Sequence, residues 1–269
     1  YKQFVKAFEE AAASDPGLYG DVALIVANGT AFDSTEGWAY LAKNPDEITT
    51  LVDEHYYQSP EWFLANTHRY DDYSRDVQAK VFLGEYAAKA NTLDAALAEA
   101  AYMTGLEKNG DVVEMACYAP LFSHEKLSQW VPDLIFYSND GMFGSVNYYV
   151  QQMYGNNAGQ YSLEASLTGA PEQTLYESAV DADGDVILKL VNVSDEEQSM
   201  HVSLTGREMA CFLPEADVTV LAGADKKAMN SFKEMAVTPQ ESKLEVGENF
   251  EYTAPANSLT VIRLSALRD

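Results

Sequence analysis

Residues 80–110, KVFLGEYAAKANTLDAALAEAAYMTGLEKNG, contain the clearest pairing of a strand with a helix in the first part of the chain. The apolar run at 81–83 is typical of a buried strand. The alanine-rich segment 92–110 predicts a helix, with Thr92 as its N-cap and Gly110 just past its end. A strand that leads directly into a helix is the unit from which parallel α/β sheets are built.

The same rhythm of strand and helix runs from the start of the chain to about residue 159. A helix ends near Ala13, and segment 145–155 predicts another. Further strands are predicted from apolar runs at 21–29, 48–57 and 111–122. Strands that alternate with helices indicate parallel strands joined by right-handed crossovers.

From Tyr161 onward the pattern changes to short strands without helical segments between them. These strands are predicted in LYESAV, DVILKLVNVS, SMHVSLTG, DVTVLAG, ENFEYTA and SLTVIRL. Asp183-Gly184-Asp185, between the first two, is typical of a hairpin turn. The sequence therefore predicts two domains, residues 1–159 and residues 160–269, and the second is an antiparallel β-sandwich.

Composition and charge limit the class of partner. The 269 residues include 17 basic and 42 acidic side chains, giving a formal net charge of −25. Nucleic acid is therefore not a predicted partner, because its phosphates require lysine and arginine. No membrane-spanning segment, phosphate loop, zinc motif or Ser-His-Asp spacing is visible in the sequence, so we predict no membrane partner, no metal and no cofactor. The many aromatic residues suit a neutral ligand, or equally the filling of a core.

Glu85 is the first candidate for a functional residue because it follows an apolar run. A buried carboxylate is costly unless it is paired or hydrogen-bonded. One interpretation is that Glu85 caps the following helix, and the other is that it belongs to a ligand site. Polar and aromatic residues also end the strands at 53–57 (DEHYY) and at Tyr118, where ligands bind in parallel α/β proteins. A carboxylate among tyrosines and a histidine is typical of a site that cleaves glycosidic bonds.

Several longer segments resemble one family of enzymes. DEHYYQSPEWF, VFLGEYA, MTGLEKNGDVVEMACYAPLF, WVPDLIFY and NYYVQQMYG occur in an order similar to that of family 51 glycoside hydrolases, the α-L-arabinofuranosidases. DGDVILKLVNVS, NSF and PANSLTVIRL resemble the C-terminal sandwich of that family. The resemblance covers nearly the whole chain. It implies the C-terminal half of a (β/α)8 barrel, strands five to eight, followed by a jelly-roll-type antiparallel β-sandwich.

The resemblance also implies an activity and the residues that carry it. Family members are retaining, exo-acting hydrolases that remove terminal non-reducing α-L-arabinofuranosyl residues from arabinan, arabinoxylan or arabino-oligosaccharides. Glu85 matches the nucleophile, Tyr57 a hydrogen-bond donor to it and His55 a neighbour of both. Gln151 matches a glutamine that we expect near the sugar.

The second carboxylic acid of a retaining site is expected outside this sequence. In the family, the acid/base glutamate lies a short way before the segment that resembles YKQFVKAF, and that segment begins at Tyr1 here. Tyr1 already lies inside a helical pattern, which suggests that the sequence starts within a longer protein. Asp53 and Glu54 stand on the sixth barrel strand, where the family motif has the same residues in other roles.

Two interpretations of different classes remain open at this point. The chain is either the C-terminal part of an arabinofuranosidase, inactive by itself, or a non-catalytic module that binds carbohydrate or serves assembly. The expected partners are an arabinofuranosyl-containing oligo- or polysaccharide and the N-terminal half of the barrel, in the same parent chain or in another chain. Association between copies of the chain is left open.

Overall fold

The computed structural model describes residues 1–28, 35–44, 51–171, 173–206, 208 and 211–268. The chain forms two compact units. The first unit consists of Tyr1–Tyr57, Asp72–Tyr86 and Asp111–Cys117. The second unit consists of Gln58–Asp71, Ala87–Gly110 and Tyr118–Asp269. These units divide the chain elsewhere than between residues 159 and 160, so the domain boundary stays a prediction.

The elements of the first part of the chain are α1 Lys2–Ser14, α2 Pro16–Tyr19, β1 Ile25–Ala27, α3 Glu36–Lys43, β2 Leu51–Gln58, β3 Lys80–Ala88 and β4 Val113–Tyr118. The first unit is built on a sheet whose strand order, β1-β2-β3-β4, follows the chain. Strand β1 pairs with β2 in parallel, with Ile25 opposite Leu51. Leu41, Val52 and Ala79 form a small core in this unit.

These strands correspond to the predicted ones, and β1 and β4 are shorter than predicted. The strand predicted at 21–29 forms only over Ile25–Ala27, and residues 29 and 48–50 lie outside the described residues. The strand predicted at 111–122 ends at Tyr118. Pro120 follows closely and has no N–H to donate to a neighbouring strand, which accounts for the early end.

Among the residues that the structure describes, the second unit has three helices, α4 Pro60–Ala65, α5 Leu93–Lys108 and α6 Val146–Gly155. Its strands are β5 Phe122–His124, β6 Ile135–Tyr137, β7 Met142–Gly144, β8 Tyr161–Leu163, β9 Leu175–Ala182, β10 Asp185–Asn192, β11 Gln198–Ser203, β12 Glu215–Ala222, β13 Gln240–Glu245, β14 Asn249–Ala254 and β15 Ser258–Leu264. The largest sheet formed by these strands has the order β13-β12-β15-β10-β9-β8, and the others are the pair β11-β14 and the small sheet β5-β6-β7.

The antiparallel, sandwich-like character predicted for this part is confirmed. Strands β9 and β10 form the predicted hairpin, and its two turn residues, Asp183 and Gly184, have φ of 54° and 91°. Two left-handed residues in a two-residue loop suit the twist of the paired strands. The edge strands β8 and β13 were not predicted, because both carry mostly exposed side chains and show no apolar alternation.

Helices α5 and α6 share one core with the large sheet. Helix α5 is buried nearly all round, and its Leu97 and Ala101 belong to the same cluster as Val150 of α6 and Ile187 of β10. These helices therefore pack with the sandwich strands, although the sequence assigned them to the preceding domain. No helix among the described residues is long and apolar enough to cross a membrane.

Glu99 is a fully buried acid in the middle of α5. Its Oε1 accepts a hydrogen bond of 2.8 Å from the backbone N–H of Ala88, the last residue of β3. Burial raises the pKa of Glu99 to about 8, and the side chain of Asn147 together with the hydrogen bond from Ala88 offsets only part of that rise. The side chain is therefore neutral in the folded protein at pH values at which the unfolded chain has already ionised.

We expect this burial to make stability depend on pH. Because the folded state keeps a proton that the unfolded state releases, the free energy of unfolding should fall between about pH 4.5 and pH 8, by about 1.4 kcal/mol per pH unit. Glu99→Gln should remove this slope, since its amide cannot ionise but can still accept from Ala88. Urea unfolding at several pH values measures the slope. The exposed control Glu241→Gln should follow the wild type, and parallel curves for wild type and Glu99→Gln would contradict the prediction.

Candidate active site

Strand β2 presents two different faces. Along Leu51–Gln58, Glu54 and Tyr56 are buried, whereas Asp53, His55 and Tyr57 are half-buried. This alternation follows from the two-residue period of a strand, which sends neighbouring side chains to opposite sides. Asp53, His55 and Tyr57 thus share one face, which we call the open face of β2.

Glu85 of β3 lies against the open face. The hydroxyl of Tyr57 donates a hydrogen bond of 2.7 Å to Glu85 Oε2, and His55 Nδ1 lies 3.6 Å from the same oxygen. The Glu85 side chain remains 43% exposed, so its carboxylate is accessible to a ligand. The residue at the N-cap of the following helix is Thr92, and the interpretation of Glu85 as that cap is wrong.

Tyr57 is held in its protonated form. Burial raises the pKa of Tyr57 above its usual 10.0, and the hydrogen bond to Glu85 and the charge of that carboxylate raise it further. The phenol therefore donates to Glu85 throughout the neutral pH range. A charge-assisted hydrogen bond of this kind stabilises the ionised form of its acceptor.

Asp53 extends this group on the other side of His55. His55 Nε2 lies 3.0 Å from Asp53 Oδ2, so the imidazole stands between two carboxylates. Gly84 makes room for Asp53, because a Cβ at position 84 would overlap Asp53 Oδ1. The sequence analysis placed Asp53 in the polar strand end at 53–57 but gave it no role in the site. Its spacing of two residues from His55 on one strand is the signal that would have found it.

Glu54 belongs to a separate network on the buried face of β2. Its Oε1 accepts from Trp38 Nε1 at 2.7 Å and from the Tyr73 hydroxyl at 2.9 Å, and its Oε2 accepts from the Tyr56 hydroxyl at 2.7 Å. Three donors satisfy this buried carboxylate, as burial of a charge requires. Glu54 therefore has a structural environment, and only Asp53 of the two neighbouring acids shares a face with His55 and Tyr57.

Gln151 lies on α6, in the second unit. Its Nε2 is 3.4 Å from Met103 Sδ, and the neighbouring Gln152 is exposed with its Nε2 3.3 Å from the Tyr148 hydroxyl. The structure thus brings Glu85, Tyr57 and His55 together within the first unit, and the role of Gln151 near a sugar stays a prediction.

An accessible carboxylate held by a tyrosine and flanked by a histidine, at the ends of neighbouring strands, is the kind of site found in glycoside hydrolases. Comparison with known proteins also indicates the class of glycoside hydrolases. Residues 66–258 match the family described as the α-L-arabinofuranosidase C-terminal domain, and the chain belongs to that family. It corresponds to the C-terminal portion of family 51 arabinofuranosidases.

Two curated relatives show how much of a longer protein the chain spans. It is 41% identical over 175 residues to the extracellular exo-α-L-arabinofuranosidase of Streptomyces chartreusis, covering 63% of this chain and 20% of the relative. It is 36% identical over 217 residues to the probable α-L-arabinofuranosidase A of Aspergillus terreus, covering 78% of this chain and 33% of the relative. The chain therefore spans between a fifth and a third of the length of these relatives.

Solved structures with a similar fold include two arabinofuranosidases. The arabinose-bound family 51 enzyme MgGH51 matches 98% of this chain and 42% of its own, with a TM-score of 0.80 and 28% identity. The α-L-arabinofuranosidase of Thermotoga maritima, in its arabinose complex, matches 98% of this chain and 61% of its own, with a TM-score of 0.75. The second likeness, at 17% identity, concerns the fold alone.

Proposed function

We propose that the chain is the C-terminal part of a retaining, exo-acting α-L-arabinofuranosidase. Its substrates are terminal non-reducing α-L-arabinofuranosyl residues of arabinan, arabinoxylan or arabino-oligosaccharides. The observation that carries the proposal is the hydrogen bond of 2.7 Å from the Tyr57 hydroxyl to the accessible carboxylate of Glu85. A neutral sugar is also compatible with the formal net charge of −25.

Glu85 acts as the nucleophile in this proposal. Its carboxylate attacks the anomeric carbon while the bond to the leaving oxygen breaks, and a glycosyl ester of Glu85 forms. Water then attacks the same carbon and releases arabinose and free Glu85, so that two inversions give net retention. Tyr57 orients the Glu85 carboxylate before attack, and His55 borders the same oxygen.

The sheet β1-β2-β3-β4 represents, in this proposal, strands five to eight of a (β/α)8 barrel. Three observations support it, namely strand order equal to chain order, helices between successive strands, and the parallel pairing of β1 with β2. The remaining strands then belong to the part of the relatives that this chain does not span. That part supplies the acid/base carboxylate, which retaining enzymes place about 5–5.5 Å from the nucleophile.

Hydrolysis of a chromogenic α-L-arabinofuranoside tests the function. Residues 1–269 are assayed alone and joined to the N-terminal half of the barrel, in one chain or as a separate chain. We expect turnover only when both halves are present. Turnover by residues 1–269 alone would contradict an acid/base outside them. Binding of arabinan without turnover by the joined halves would instead favour a non-catalytic carbohydrate-binding module.

A further inference from the structure

We propose that Asp53 is a positioning residue for the nucleophile, acting through His55. In this role Asp53 fixes the imidazole so that Nε2 faces Asp53 and Nδ1 faces Glu85. The inference rests on the proposed function, because it treats Glu85 as the nucleophile. It adds a residue to the site and assigns a tautomer to the histidine.

Asp53, His55 and Glu85 contact one another in that order. Asp53 Oδ2 lies 3.0 Å from His55 Nε2, and His55 Nδ1 lies 3.6 Å from Glu85 Oε2. An ionised carboxylate is only an acceptor, so the proton must be on Nε2 for this contact to be a hydrogen bond. Nδ1 is then the nitrogen that borders the nucleophile.

Among these three contacting groups, burial decreases from Asp53 through His55 to Glu85. The side chains of Asp53, His55 and Glu85 are 22%, 31% and 43% exposed. The anchoring group is therefore the most buried and the reacting group the most accessible. This is the order expected when a fixed residue orients a second one that contacts the reacting carboxylate.

Asp53 is itself fixed by the strands on both sides of β2. Its backbone carbonyl accepts a hydrogen bond of 3.0 Å from the N–H of Asn28, which follows β1. Its Oδ1 is buried against Gly84 of β3 and has no hydrogen-bond partner among the residues that the structure describes. The hydrogen-bonding oxygen of Asp53 is thus directed at His55, and a side chain larger than hydrogen at position 84 would displace it.

Two measurements test the inference. In residues 1–269, nitrogen-15 NMR of the His55 imidazole should show the proton on Nε2, and Asp53→Ala should abolish that preference. In the complete enzyme, Asp53→Ala should lower kcat by about 10–100-fold with KM little changed, because a small misplacement of the reacting group is costly. The exposed control Asp72→Ala should behave as the wild type in both measurements.

Conservative variants separate positioning from mere packing. Asp53→Asn has the same shape and keeps a carbonyl acceptor, so it should recover part of the lost kcat and retain the Nε2 proton. Gly84→Ala should reproduce the defect of Asp53→Ala, and the two changes combined should cost much less than the product of their separate effects. If Asp53→Ala does not fold, Asp53→Asn and Gly84→Ala test the positioning role instead, through the His55 proton in the NMR spectrum and through kcat.

The outcomes distinguish this inference from the proposed function. An unchanged tautomer of His55 together with an unchanged kcat in Asp53→Ala would overturn the positioning role and leave the function intact. A complete enzyme without arabinofuranosidase activity would overturn the function, whereas the NMR measurement on residues 1–269 would still report whether Asp53 sets the tautomer of His55.

Discussion

Glu85→Ala in the complete enzyme should lower the rate of hydrolysis of an aryl α-L-arabinofuranoside by several orders of magnitude. The variant lacks the group that forms the glycosyl ester. A water molecule that attacked in its place would not be held in position as the Glu85 carboxylate is held by its strand. Azide should partly restore turnover, because a small anion enters the space of the deleted side chain. The azide product should have inverted configuration, since a single displacement replaces two.

Tyr57→Phe is the matched control for this experiment. It leaves the Glu85 carboxylate in place and removes one hydrogen bond to it. A hydrogen bond to a charged group contributes about 1.5–3 kcal/mol, which corresponds to a loss of about 10–200-fold. The rates should therefore fall in the order wild type, Tyr57→Phe, Glu85→Ala. Near-normal activity of Glu85→Ala, or equal losses in both variants, would contradict the assignment of Glu85 as nucleophile.

The elements of the fold were predictable where the sequence pattern reflects burial. The strands at 80–88 and 51–58 carry apolar runs, and the turn at Asp183-Gly184 has residues that tolerate positive φ. The edge strand Gln240–Glu245 has no buried face and therefore no pattern. The grouping of α5 with the sandwich was not predictable, because a helix that is apolar all round does not indicate which element covers each side.

The candidate site was predictable only through the resemblance to a family. Composition and strand ends suggested a carboxylate among aromatic residues, but they did not pair Glu85 with Tyr57 across two strands. The spacing of Asp53 and His55 along β2 was visible in the sequence, but the space that Gly84 leaves for Asp53 appears only when β2 and β3 lie side by side. Contacts between strands, such as that of Gly84 with Asp53 and that of Tyr57 with Glu85, have no signature in the spacing of residues along one strand.

Lys189 is the clearest case of a long-range contact hidden from the sequence. In VILKLV, residues 186–191, it is a single charged residue within an apolar run, and nothing in that run indicates its partner. The structure buries it completely, and its Nζ donates to Glu107 Oε1 at 2.6 Å and to the Asn157 carbonyl at 2.8 Å. The Ser178 hydroxyl donates to Glu107 Oε2 at 2.6 Å. This network joins strands β9 and β10 to helix α5 and to the residues after α6.

Lys189→Ala should lower the free energy of unfolding by about 3–5 kcal/mol, because it leaves the mostly buried Glu107 without its cation. Burial lowers the pKa of Lys189, while the charge of Glu107 and its hydrogen bond act in the opposite direction, so the pair depends on both partners. Urea unfolding of residues 1–269 measures the loss. Lys243→Ala, which removes an exposed ion pair with Asp217, should leave the transition nearly unchanged.

A double variant decides whether the loss comes from the unpaired acid or from the missing side chain. Lys189→Met with Glu107→Leu replaces the ion pair by apolar groups of similar length, and such replacements are often neutral or stabilising when one-partner deletions are not. The double variant should therefore be markedly more stable than Lys189→Met alone. Equal stability of the two would mean that Glu107 reaches water once Lys189 is gone. The contact between β10 and α5 would then depend on the apolar cluster around Leu97 and Ile187 rather than on the ion pair.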